Sequence, residues 1–300
     1  MAAQNKKVKH SGADQRLEIG LTIAMIIIGI IILYPLIIVV STSFSSPGAV
    51  MSGKVWLLPV DLSLEGYKAV FRTNDVLIGY RNSLFYMVAG TVINLIMTML
   101  AAYPLSRTDM PGQGPITMIF TFTMIFQGGM IPGYLLIRDL GMLNTVWCML
   151  IPGAISIHNM IIARTFIKSN IPKEMLEAAQ IDGCSDIQYF IKMVLPLSGA
   201  VIAVITLYYA IAHWNAYFNA FMYLNDKELY PLQIFLKNIL VSNQVETEML
   251  PVDSQVTAVQ GISELLKYSL IVVAIVPVMI IYPFVQKHFV KGVMIGAVKG

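Results

Sequence analysis

The chain has 300 residues, of which 57% are hydrophobic and only 12% are charged, and its mean hydropathy is +0.71. In a soluble domain about a quarter of the residues are charged, so this composition excludes a soluble domain and indicates a membrane protein. The net charge of +3 and the lack of an aromatic-interleaved basic patch argue against a nucleic-acid partner. Two cysteines, Cys148 and Cys184, give neither a disulfide framework nor a metal-binding pattern.

The first 18 residues form a polar segment with four basic side chains, and an apolar run of more than 20 residues follows. This run lacks a small-residue cleavage site, so we expect a retained anchor rather than a cleaved signal peptide. Residues 1–18 are therefore predicted to be a cytoplasmic N-terminal segment.

Six apolar stretches reach the length of about 20 residues that a helix needs to cross a bilayer. The sequence therefore predicts an all-α polytopic membrane protein with six transmembrane helices in a permease domain over residues 19–285, followed by a tail, 286–300. The third stretch contains Gly128-Gly129 and Pro132-Gly133, so its outer part is expected to be irregular. The predicted spans are 19–40, 82–105, 115–137, 144–163, 195–223 and 264–285.

Lys and Arg are biased to one side of these spans. With the N-terminus inside, twelve of the 20 basic residues fall in inner segments and eight in outer ones. By the positive-inside rule, both termini and the loop 164–196 between spans 4 and 5 are predicted to be cytoplasmic.

A short polar island interrupts the apolar pattern in this loop. Pro172 fits a first helical turn, and a helix is predicted from Lys173 to Ile181. Gly183 fits the position after a helix end, where positive φ is favourable for glycine. Ser185 and Gln188 have capping-box spacing for a second helix, whose apolar residues from Ile187 onward we expect to enter the bundle. Ala178 and Ala179 present a low surface to which another backbone can come close.

The island reads Glu-Ala-Ala, three residues, Gly, nine residues, then Met-Val-Leu-Pro. It resembles the cytoplasmic EAA loop of permease subunits of binding-protein-dependent ABC importers, with Met193 where isoleucine is usual. In that family the loop is a coupling helix that docks into a cleft of a separate ATPase subunit. The resemblance implies ATPase-coupling roles for Glu177, Ala178, Ala179, Asp182, Gly183, Leu195 and Pro196.

The tail ends in Val-Lys-Gly and is similar to the tails of maltose-type sugar-importer permeases. The resemblance implies a heterodimer of two related permeases in the cytoplasmic membrane of a bacterium or archaeon, surrounded by lipid, with alternating access to a sugar, an oligosaccharide in our expectation. It also implies an extracytoplasmic solute-binding protein and two cytoplasmic ATPase subunits that hold ATP and magnesium. This chain lacks G-x-x-x-x-G-K-[ST], so no cofactor and no hydrolysis are expected in it.

The predicted spans contain almost no ionisable groups, which argues against a secondary transporter that carries protons or sodium on buried carboxylates. Glu264 and Lys267, three residues apart, are expected to pair. Paired carboxylates, a Ser-His-Asp set and HExxH are lacking, so an enzyme is not predicted.

Amides and aromatic rings in the spans are candidates for a sugar path, since amides bind hydroxyls and rings cover apolar sugar faces. Interhelical hydrogen bonding is the alternative role for each. On a continuous fifth helix, Tyr208, Asn215 and Asn219 would share one face. The candidates are Asn82, Tyr86, Gln127, Asn159, Tyr208, Asn215 and Asn219.

Two long outer loops each contain a possible amphipathic helix, 63–71 and 232–240. These helices either cover the mouth of the bundle or form a docking platform for an outside partner.

Other functions stay open for the chain as a whole. The same scaffold could carry phosphate, a polyamine, a peptide or a charged oligosaccharide such as a uronide, or the chain could be a non-transporting scaffold or a channel.

Overall fold

A computed structural model describes residues 12–72, 74–126, 128–241 and 256–297. Within these residues every regular element is helical, which confirms the predicted all-α class. A π-helix (Phe190–Val194) and a 3-10 helix (Lys227–Leu229) accompany the α-helices. The α-helices are α1 (Gly12–Ser43), α2 (Pro47–Met51), α3 (Glu65–Val70), α4 (Asn74–Ser106), α5 (Gln113–Ile125), α6 (Met130–Asp139), α7 (Trp147–Leu150), α8 (Ile157–Asn170), α9 (Lys173–Ile181), α10 (Asp186–Tyr189), α11 (Leu195–Leu197), α12 (Gly199–Trp214), α13 (Tyr217–Tyr223), α14 (Leu232–Val241) and α15 (Val256–Ala297).

The chain divides into two compact units, the first comprising Met1–Arg72 and Glu246–Val272. In the described part of this unit, the Tyr67 hydroxyl lies 2.8 Å from the Ser43 hydroxyl. Gly66 packs so closely on α15 that a Cβ there would lie 2.1 Å from Ser269 Oγ. The predicted pair is confirmed, since Lys267 Nζ lies 2.7 Å from Glu264 Oε1.

The second unit comprises Thr73–Val245 and Val273–Gly300 and is built around α4. Helices α8, α12 and α14 all pack on α4. One face of α4 carries buried polar groups at intervals of four residues, which is the spacing that keeps side chains on one helix face. Asn94 Nδ2 donates to Gly153 O at 3.0 Å, and Thr98 Oγ1 lies 2.6 Å from the Tyr209 hydroxyl. This seam satisfies backbone groups where other helices are broken, as an apolar environment requires.

Three described helices are long and apolar enough to cross a membrane: Gln15–Ser43, Asn74–Ser106 and Gly261–Ile280. Two bent helix pairs raise the number of candidates to five. The predicted third span is two helices, α5 and α6, separated at residues 126–129, in keeping with its Gly-Gly pair. The exact count of six spans stays a prediction.

The prediction of one continuous helix over 144–163 is wrong. Helix α7 ends at Leu150, Gly153 has φ +75°, and α8 begins at Ile157 after its N-cap Ser156. Pro152 and Gly153 account for the interruption, because proline supplies no backbone N–H donor and glycine allows the left-handed turn.

The prediction of one continuous fifth helix over 195–223 is also wrong. The segment Asp186–Leu197 meets α12 at an angle of 80°. A second interruption lies at Asn215 and Ala216, where Ala216 has ψ 56°. Pro196 explains the first bend, because it removes a helix donor and its ring displaces the carbonyl four residues earlier. The π-helix that precedes it relieves the same conflict.

The two predicted outer-loop helices are present as α3 and α14. At the C-terminal end, α15 continues past residue 285 to Ala297, so residues 286–297 of the predicted tail extend the last helix. Residues 1–11 of the predicted N-terminal segment and 298–300 of the tail lie outside the described residues.

Candidate coupling site

The polar island forms the predicted helix, α9, with its boundaries at Lys173 and Ile181. Pro172 lies just before the helix with ψ 145° rather than in its first turn. Asp182 follows the last turn, and Gly183 adopts φ +74°, as predicted. Nothing lies within 4 Å of a Cβ built on Gly183, so its glycine is required by the backbone and not by a crowded neighbour.

The second helix, α10, begins with the predicted capping box. Gln188 N donates to Ser185 Oγ at 3.3 Å, and Ser185 N donates to Gln188 Oε1 at 3.2 Å. The reciprocal bonds satisfy two of the N–H groups that a helix start leaves free. They fix the angle between α9 and α10 from sequence-local contacts alone.

The two alanines of the island face different ways. Ala179 is buried with Tyr189 and Val194 in the hydrophobic core cluster at this end of the unit, whereas Ala178 is exposed. Only Ala178 therefore exposes a small side chain that another protein could approach closely. The prediction that both alanines do so is wrong for Ala179. Glu177 and Asp182 are exposed beside it.

The expectation that Ile187 enters the bundle is wrong: its side chain is 72% exposed, and Ile181 at the end of α9 is 87% exposed. Of the predicted apolar residues, Val194 is buried and Phe190 and Leu195 pack on the core cluster, whereas Ile191 is exposed like Ile187. Tyr189, which the prediction did not include, is also buried.

The Leu-Pro pair lies at the bend into α12. Leu195 packs on the core cluster and Pro196 is exposed. Ser198, at the bend itself, is fully buried, and its hydroxyl has no hydrogen-bond partner in the described chain. The bend at Ser198 thus joins the polar island to α12.

A cleft of about 210 Å³ separates α9 from the end of α4 and the end of α8. Its lining includes Arg107, Lys168, Lys173, Glu177 and Gln180, so it is charged and contains both signs. Sequence reasoning did not single out the segment that follows α4, because no local motif marks it.

Arg107 is the central charge of this segment. Its side chain is 14% exposed and forms ion pairs with Asp109 and Asp186. The hydrogen bond from Arg107 holds the pKa of Asp109 below its ordinary value, and the bond to Asp109 raises the pKa of Arg107. Burial raises the pKa of the neighbouring Tyr189.

Two of the predicted path residues bind backbone. Asn82 Nδ2 donates to Glu228 O at 2.7 Å and to Tyr230 O at 3.1 Å. The Tyr86 hydroxyl donates to Leu229 O at 2.9 Å. Both side chains are buried, so they hold the segment that contains the 3-10 helix against α4.

The remaining candidates do not form one group. Asn159 is buried in the first turn of α8. Tyr208 (42% exposed) and Asn215 (exposed) lie on α12 and at its end, and Asn219 is partly exposed on α13. The interruption at Ala216 breaks the helical phase on which a shared face depended. Gln127 lies outside the described residues.

The comparison with known families decides the class. Residues 76–295 match the family described as binding-protein-dependent transport system inner membrane component. The chain belongs to this family. The permease resemblance of the polar island is thereby confirmed, and the match includes α4, the island and α12. The protein is a transport component of the membrane, and in such systems ATP is hydrolysed by separate ATPase subunits.

Individual relatives extend this result. The permease is 40% identical over 277 residues to the polygalacturonan/rhamnogalacturonan transport system permease protein YtcP of Bacillus subtilis, covering 92% of this chain and 96% of that one. It is 38% identical over 274 residues to the protein LplC of the same organism, covering 91% of each.

A solved structure also matches closely. It is a crystal structure of a bacterial ABC transporter involved in the import of the acidic polysaccharide alginate. The matched chain has a TM-score of 0.86 and 37% identity, with 94% of this permease and all of that chain covered.

Proposed function

We propose that this permease carries acidic oligosaccharides, built from uronic acids, into the cell. The observation that carries the proposal is the 40% identity, over 92% of the chain, to a polygalacturonan/rhamnogalacturonan permease. The likeness to an alginate importer supports the same chemistry, because alginate and polygalacturonan are both polymers of sugars with carboxylates. Of the substrates that the sequence left open, the charged oligosaccharide is therefore favoured.

The assembly contains this chain, a second related permease, two cytoplasmic ATPase subunits and an extracytoplasmic binding protein. The ATPase subunits hold ATP and magnesium. Both termini and the polar island lie on the cytoplasmic side, which the bias of Lys and Arg supports. The four-residue polar seam of α4 supports a membrane location for this helix, because it satisfies backbone groups that lipid could not.

Transport proceeds by alternating access driven from the cytoplasmic side. ATP closes the ATPase dimer, and α9 moves with the cleft into which it docks. Ala179 anchors α9, and Tyr189 anchors α10, in one core cluster, so the two helices move as one body. The bend at Ser198 passes the motion to α12. Glu177, Ala178, Asp182 and Gly183 form the surface that meets the ATPase.

The exposed groups on α12 and α13 contribute to the sugar path of the heterodimer. Tyr208 can stack on a sugar ring, and Asn215 and Asn219 can bind hydroxyl or carboxylate oxygens. Asn82 and Tyr86 take no part in binding, because both are bound to backbone.

The test is uptake by the complete importer reconstituted in proteoliposomes with its binding protein. We expect ATP-dependent accumulation of labelled trigalacturonate, which unlabelled trigalacturonate but not maltotriose suppresses. Accumulation of maltotriose without trigalacturonate would show a neutral-sugar importer. A complex that hydrolyses ATP but transports neither sugar would indicate a different solute. A purified complex without an ATPase subunit would support the alternative of a non-transporting scaffold.

A further inference from the structure

We propose that Arg107 is a positioning residue of the coupling machinery. It ties the first turn of α10 to the end of α4, so that displacement of the polar island reaches α4 as well as α12. The inference rests on the proposed function, because it assumes that the ATPase subunits move this island.

The contact joins two distant parts of the sequence. Arg107 directly follows α4, and its backbone N–H donates to Pro104 O at 3.1 Å. Its guanidinium pairs with Asp186, 79 residues further along, in the first turn of α10. It also pairs with Asp109 and donates from Nη1 to the Tyr103 hydroxyl at 3.2 Å. With three partners the guanidinium is fixed in orientation, which a planar fork of donors favours.

Aromatic packing supports the ion pair. The rings of Tyr103 on α4 and Phe190 in the π-helix stack with centroids 5.0 Å apart and an angle of 30°. Tyr189 lies 6.4 Å from the same ring of Tyr103, and Arg107 Cζ lies 5.9 Å from its centroid. The end of α4 therefore makes both a charged and an apolar contact with the segment formed by α10 and the π-helix.

The end of α4 also holds two further helices. The carbonyl of Leu105 accepts bonds of 2.8 Å from Arg164 Nε on α8 and from Gln113 Nε2 on α5. A force on Arg107 thus acts on a turn that is fixed to α5 and α8. Since α4 packs along α12 and α14, its displacement reaches most of the second unit.

The pair is suited to transmission more than to stability. The Asp186 side chain is 66% exposed, and an ion pair with one partner this exposed contributes little to folding. Removing the carboxylate should consequently leave the chain folded while it frees α10 from α4. This separates a positioning role from a structural one.

The experiment compares variants in the complete reconstituted importer. Asp186→Asn and Arg107→Gln should lower the trigalacturonate imported per ATP hydrolysed by about fivefold or more. The matched control is Arg138→Gln, whose pair with Asp139 lies within α6 and joins no second element, so its ratio should stay unchanged. A merely structural residue would change the yield of complex and not this ratio.

A second readout needs no solute. In an Asn215→Cys variant, an impermeant maleimide should label the introduced thiol from outside to a different extent with and without ATP and vanadate, and adding Asp186→Asn should abolish the difference. An unchanged difference and an unchanged transport ratio in Asp186→Asn would overturn the role of Arg107. If the Asn215→Cys variant shows the labelling change and the wild type imports no trigalacturonate, the proposed substrate is wrong, and the labelling result decides the role of Arg107. If Arg107→Gln does not assemble, the exposed Asp186 variant decides.

Discussion

Gly90 on α4 lies directly against the imidazole of His213 on α12: a Cβ at position 90 would be 2.4 Å from ring atoms Cε1 and Nε2. His213 Nε2 also lies 3.1 Å from Asn94 Oδ1, one turn along the same α4 face. The ring therefore cannot move away from Gly90 without losing its polar partner. The close approach of α4 and α12 depends on a residue without a side chain at this point.

Gly90→Ala should destabilise the permease. The added methyl group forces the imidazole from its site, and overpacking of this kind costs about 1–3 kcal/mol. Thermal unfolding of the detergent-solubilised chain measures the loss. Gly29→Ala is the matched control, because Gly29 is also helical and nothing lies within 4 Å of its Cβ position. Equal melting temperatures for the two variants would contradict the close packing.

Gly183→Asp should uncouple transport without unfolding the bundle. A side chain at φ +74° strains the turn between α9 and α10 by about 1 kcal/mol, and it adds bulk and charge to the proposed ATPase-binding surface. We expect the transport rate of the reconstituted importer to fall about tenfold. Gly141→Asp is the control, because Gly141 has φ +69° and is equally open but follows α6. Normal transport by Gly183→Asp would rule out the coupling role.

The two alanines of the island should respond differently to the same change. Ala179→Leu places extra volume in a closed core cluster, so it should lower the stability of the isolated chain by about 1–3 kcal/mol. Ala178→Leu adds to an exposed face, so it should leave the melting temperature unchanged and weaken recovery of the ATPase subunits in pull-down. The opposite pattern would show that α9 is rotated about its axis.

Asn82 and Asn215 should separate structural amides from binding amides. Asn82→Ala removes the buried donor that bonds the carbonyls of Glu228 and Tyr230, and each lost hydrogen bond costs about 0.5–1.5 kcal/mol. Asn215→Ala removes an exposed amide, so stability should hold while the apparent KM for trigalacturonate uptake rises about fivefold. An unchanged KM would remove Asn215 from the sugar path.

Features that depend on neighbours three or four residues away were predictable from the sequence. The limits of α9, the positive φ of Gly183 and the capping box of Ser185 and Gln188 all follow from such contacts. The Glu264–Lys267 pair does as well. Hydropathy also predicted several helices that are long enough to cross a membrane, because the bilayer thickness sets the length that each apolar stretch needs.

The breaks in the helices and the partners of the buried polar side chains depend on tertiary packing. The interruption at Gly153 is stabilised by a distant group, because Asn94 Nδ2 on α4 donates to the Gly153 carbonyl. Asn82 reaches a carbonyl 146 residues away, and Arg107 a carboxylate 79 residues away. No local pattern specifies such pairs, because they form only once packing brings the two segments together.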